Sequence, residues 1–182
     1  VRGTVVTPAP ATPLPASTVL IAAAPPAASL PAAWTLHGGA VVNGDLLELT
    51  EDANETTGLS QTVVLPEGVV AMSFTVDARA LLADAGVSPP DAFEIALLDA
   101  ATMQPVGGAA TGLGQTDAFA NVQASGEVWF GPGVTVQGRT ASGQGGSLAT
   151  TFTVTKDLSL VAPGTSLVLF FGLFAAALLY LP

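Results

Sequence analysis

The sequence predicts an all-β fold, an antiparallel β-sandwich, on three observations. Apolar and polar residues alternate with period two over several short segments, and turn-forming residues punctuate them about every eight to twelve positions. In addition, 20 glycines and 14 prolines among 182 residues leave few stretches where a long helix could run. A chain of this length supports one well-buried core, or one domain with an ordered arm, rather than two full domains. The expected division is an extended Pro/Ala-rich arm over residues 1–33 and a sandwich domain over residues 34–182.

The arm holds seven of the 14 prolines, in clusters such as Pro8, Pro10, Pro13 and Pro15. Such a segment favours extended or polyproline II backbone. Between its clusters runs Ser17-Thr18-Val19-Leu20-Ile21-Ala22-Ala23, apolar and β-branched. It reads as a strand without an obvious partner nearby.

From Trp34 onward the texture is strand and turn. Asn43 followed by Gly44, between residues 40–42 and 46–49, is a two-residue hairpin signal, because both turn positions call for positive φ. Residues 59–65 form the next candidate strand, closed by Pro66 and Gly68. Val70, Met72, Phe74 and Val76 then alternate with Ala71, Ser73, Thr75 and Asp77, as a half-buried strand requires. Residues 77–85 suit one or two helical turns stopped by Gly86.

Residues 88–101 admit two readings. Phe93, Ile95 and Leu97 fall on one face of a strand, whereas Asp91 with Glu94 three positions later resembles a helix capping box. After a Gly/Ala-rich loop over 105–116, strands are expected at 118–123, 127–130, 134–137 and 148–155. The uncharged run 167–181 is 15 residues long. A membrane-spanning helix needs roughly 17–25, so core strands are the expectation and a membrane span is not.

The charge balance excludes one class of function. Net charge is −10, from 14 acids against four bases, Arg2, Arg79, Arg139 and Lys156. Those bases never cluster, so nucleic-acid binding has no electrostatic footprint. There is no cysteine for a disulfide or a thiolate metal site. Low lysine content with abundant Thr, Gly and Val suits an extracellular or cell-surface location. The chain starts at Val1 without a basic-then-apolar leader, so it is expected to be an exported product whose signal peptide has been removed.

Catalytic motifs are lacking. His37 is the single histidine, and no serine stands in a Gly-x-Ser-x-Gly setting. Gly131, Gly133 and the glycines of 143–146 read as turns rather than phosphate cradles. Asp45, Glu48, Glu51, Asp52 and Glu55 form the densest acidic cluster. They read as a solvated face or, alternatively, as oxygen ligands for calcium, the one candidate ion. Trp34, Trp129 and Phe130 offer flat apolar rings, either to a core or to a sugar.

One set of segments resembles a known type of protein. Trp34 with Gly38-Gly39, Asn43-Gly44-Asp45-Leu46, Met72-Ser73-Phe74-Thr75-Val76, Pro90-Asp91-Ala92-Phe93-Glu94 and Asp157-Leu158-Ser159-Leu160 are similar to jelly-roll β-sandwich modules of large secreted bacterial proteins, akin to carbohydrate-binding modules. The resemblance covers roughly residues 34–174 and implies that residues 90–99 open a strand. It also implies a further acidic closing strand, where this chain instead runs through Ala175-Ala176-Ala177 into Leu178-Leu179-Tyr180-Leu181. A sandwich short of a strand has an open edge that recruits strands from other chains.

The expected function is therefore a non-enzymatic structural subunit, a filament-like homopolymer whose copies are joined by strand complementation. The candidate donors are Thr18, Val19, Leu20 and Ile21 in the arm and Leu178, Leu179, Tyr180 and Leu181 at the other terminus. The alternative is a glycan-binding module, calcium-stabilised, using Trp34, Trp129 and Phe130.

Overall fold

The computed structural model describes residues 18–24, 34–43, 46–52, 56–83, 90–113, 116–139 and 148–174. They form two antiparallel sheets packed face to face, an all-β sandwich. In chain order the strands are β1 (Thr18–Ala24), β2 (Thr35–His37), β3 (Gly39–Asn43), β4 (Leu46–Thr50), β5 (Thr57–Val64), β6 (Ala71–Asp77), β7 (Ala92–Asp99), β8 (Ala118–Gln123), β9 (Val128–Phe130), β10 (Val134–Arg139), β11 (Leu148–Asp157) and β12 (Ser166–Phe174). A single helical turn, α1 (Arg79–Ala83), follows β6. The first sheet has the order β10-β11-β6-β1-β4-β3 and the second β2-β5-β12-β7-β8-β9.

The two-way reading of residues 88–101 resolves to strand. Phe93, Ile95 and Leu97 are buried in β7 between β12 and β8, and burial of that face outweighs the local helix preference. Phe171 of β12 sits at the centre of the core. Its ring meets Phe74 edge-on at 5.1 Å, stacks with Phe93 at 6.4 Å and touches Trp34 at 6.1 Å.

Both flanks are closed by chain that changes sheets. On one flank only Gly38 separates β2 of the second sheet from β3 of the first. Gly38 has φ 56°, a left-handed conformation that suits glycine, and a Cβ on Gly39 would collide with the Thr50 carbonyl. Thr57 secures this corner. Its Oγ1 accepts from Gly39 N at 3.0 Å and donates to Thr50 O at 2.7 Å. On the other flank residues 131–133 carry the chain from β9 across to β10.

The register defines two ends of the sandwich. At the upper end lie the start of β1 at Thr18, paired with Thr50, and the end of β12, where Leu173 pairs with Thr57. At the lower end lie the finish of β1, with Ala22 against Leu46 and Ala24 against Ser73, and the Asp157–Ala71 pair. The Ser166–Val64 and Leu167–Asp99 pairs mark that end in the second sheet.

Candidate functional site

The residues that draw attention first are those of β1. Val19 and Ile21 are β-branched, stiff at χ1 and suited to a pleated surface, and period two sends both the same way. Both are fully buried. Val19 stands opposite Leu49, and Ile21 lies between Leu47 of β4 and Val76 of β6. Leu20 takes the opposite face, half-buried between Glu48 and Asp77.

β1 thus lies inside a sheet, with a partner along each side for five register positions. β4 and β6 do not pair with one another; β1 is what joins them. The site is accordingly a slot lined by Leu47, Leu49, Phe74 and Val76 and bounded by two rows of backbone N–H and C=O groups. Burying Val19 and Ile21 contributes about 1.5–3 kcal/mol each, and each backbone hydrogen bond adds roughly 0.5–1.5. The chemistry on offer is recognition of an extended apolar strand.

Of the candidate donors, Val19, Leu20 and Ile21 fall within this strand, as does the backbone of Thr18. Leu178, Leu179, Tyr180 and Leu181 lie outside the described residues. The slot walls carried no separate signal in the sequence, since β4 and β6 read as ordinary half-buried strands. What would have pointed to them is the number of edges that a strand in the arm must satisfy.

The aromatic candidates part company. Trp34 packs on Phe171 and Phe130 faces the core, so both serve as packing residues. Trp129, one position before Phe130, takes the other face and stands in register with Asn121 of β8. Asn121 Nδ2 donates to Glu94 Oε1 at 2.7 Å, and Thr116 Oγ1 donates to the same oxygen at 3.2 Å.

The acidic candidates are spread along the chain path. Glu48 is half-buried on the outer face of β4 between Leu20 and Val41, while Glu51 and Asp52 follow the strand. Asp45 and Glu55 lie outside the described residues. Among the described residues no three His, Cys, Asp or Glu side chains come together as a metal site. No helix among them is long and apolar enough to cross a membrane.

The fold and the slot define a β-sandwich in which the first described strand, β1, holds an interior sheet position. Comparison with protein-family models, with curated proteins and with solved structures finds no match to this chain.

Proposed function

We propose that this chain is a non-enzymatic structural subunit of an extracellular or cell-surface assembly, joined to copies of itself by strand complementation. β1 is the donor and the slot between β4 and β6 the acceptor. The observation that carries this reading is β1 itself, an arm strand with both edges paired and two side chains fully buried. A strand in that position can come from its own arm or from a neighbour's, with the same contacts in either case. How the arm leaves the body decides whether the assembly extends as a filament-like homopolymer or closes.

The sheet orders support a jelly-roll-like reading. Successive strands from β4 to β7 alternate between the sheets, and β12 lies between β5 and β7. In a jelly roll the strand after β12 would return to the first sheet between β4 and β6. That is the slot β1 occupies, which supports the resemblance-based expectation of a replaced closing strand.

The test is oligomeric state. Light scattering of the full chain refolded at high concentration should give multiples of the chain mass. Removing residues 1–24 should abolish them, and a synthetic peptide of residues 17–24 should bind the shortened chain, whereas its Ile21→Asp version should not. A full chain that stays a monodisperse monomer at every refolding concentration would overturn the reading.

A second reading, a glycan-binding module, is favoured by Trp129 and Glu94, half-buried on the outer face of the second sheet, with the buried Asn121 holding the Glu94 carboxylate. An aromatic ring beside hydrogen-bonding side chains suits a sugar. It predicts a shift in tryptophan fluorescence with neutral oligosaccharides that Trp129→Ala abolishes and Trp34→Ala does not. Identical spectra with and without sugar would remove it.

A further inference from the structure

β3 is an edge strand, and it lacks the features that keep such edges solitary. Among the described residues four strands end a sheet, β10 and β3 in the first and β2 and β9 in the second. β2 and β9 are only three residues long. β10 is broken by a register shift across Gly138, whose φ is 93°, and it finishes on Arg139. β3 has neither charge nor proline, and all five of its residues keep register with β4. A regular, uncharged edge of this kind offers its outward N–H and C=O groups to a further strand.

Exposed apolar side chains gather on the same flank. Val41 is 51% exposed, Leu46 44%, Leu36 43% and Val42 38%. Period two turns Val41 to the outer face of the sheet and Val42 to the other, so a strand added beside β3 would cover one with each of its faces. Glu48 stands opposite Val41, half-buried between it and Leu20 on the outer face. It makes no hydrogen bond or ion pair among the described residues. A carboxylate held between two apolar side chains suits a cation whose aliphatic stem can lie across one of them.

We propose that the β3 edge is a docking site for an extended segment of another protein, one that carries Lys or Arg between two apolar residues. The segment adds to the first sheet as a further strand. Its basic residue stands opposite Val41, two strand spacings or about 10 Å from Glu48. A lysine stem lying over Val41 bridges that gap and brings its ammonium to the carboxylate. The apolar neighbours turn to the other face and cover Val42. Charge selects against a second copy in this place. The chain carries a net charge of −10, and β3 has no cation of its own to set against Glu48. The site stands apart from strand exchange, since β4 lies between β3 and β1.

The test is a titration of the isotope-labelled full chain, followed by amide NMR, with an end-blocked Thr-Val-Lys-Val-Thr peptide. Amide shifts should appear at residues 39–43 and not along the other edge strands, β9 and β10. Exchanging the peptide's Lys for Glu, or Glu48→Gln in the chain, should each weaken binding about fivefold. Val41→Lys, at an exposed position outside the core, supplies the cation from the chain itself and should remove the advantage of the Lys peptide over the Glu peptide. Equal affinities of the natural chain for the two peptides, or no shifts at β3 up to the solubility limit of the Lys peptide, would overturn the proposal. Shifts at β3 that follow the concentration of the chain alone would assign the edge to a second copy and overturn it as well.

Discussion

Lys156 carries a charge where the surrounding pattern calls for an apolar residue. Phe152, Val154 and Lys156 share the inward face of β11, and Lys156 is only 1% exposed. Its Nζ donates to Pro132 O at 2.7 Å and to Gly107 O at 3.2 Å, and lies 5.5 Å from the centre of the Phe119 ring. The ammonium thus ties β11 to the turn closing one flank and to the loop after β7. In the sequence it is one of four scattered bases. Parity with Phe152 and Val154 was the only signal of its burial, and the accepting carbonyls belong to remote loops that no local pattern predicts.

Burial pushes the Lys156 amine below its ordinary value, and the neighbouring Asp157 charge opposes that only in part. With the folded pKa depressed, the unfolded chain binds more protons between the folded value and the ordinary one, about 10.4. Stability from this group therefore rises with pH across that window and is lost as pH falls through the folded value. Denaturant titrations carried upward in pH toward that ordinary value should show the natural chain gaining stability relative to Lys156→Met. Parallel profiles for the two proteins would contradict the assignment.

At the scale of the element, β1 was legible as a strand because Val19, Leu20 and Ile21 are apolar and two of them β-branched. Its place was not legible. The nearest strand in sequence is β2, yet β1 pairs with β4 and β6, and a pattern of period two says which face is buried without saying whose edges are filled. β2 itself is only three residues long, too short for alternation to register, and its role depends on the corner at Gly38. The β3–β4 hairpin was readable, but Asn43 is not one of its turn residues: it is the last residue of β3, pairs with Leu46 and does not take positive φ.

The two faces of β1 give an asymmetric prediction. Ile21→Ala should destabilise the folded chain by about 2–5 kcal/mol through the cavity left between Leu47 and Val76. Leu20→Ala, on the half-buried outer face, should cost a smaller amount, of order 1 kcal/mol. Equal losses in chemical denaturation would mean that β1 does not hold this register.

Across the whole molecule, the all-β class was readable from composition and turn spacing because a sandwich repeats one local rule along the chain. The candidate site was readable only in β1 itself. The slot around it depends on β4 and β6 standing apart with a strand between them, a relation among three segments distant in sequence. Trp34, Trp129 and Phe130 illustrate the same limit, for alternation separates Trp129 from Phe130 but cannot say that Phe130 is the one facing the core.

Thr18 and Phe174 lie at the same, upper end of the sandwich, and this bears on the order of the chain itself. Thr18 pairs with Thr50, Thr50 O accepts from the Thr57 hydroxyl, and Thr57 pairs with Leu173. A short bridge could therefore lead from the end of β12 directly into the start of β1, with the polypeptide opened instead ahead of Trp34. Such a circular permutant would keep every strand pair while turning an N-terminal strand into the closing one. By covalent rearrangement alone it would separate the architecture of the sandwich from the strand exchange proposed for it.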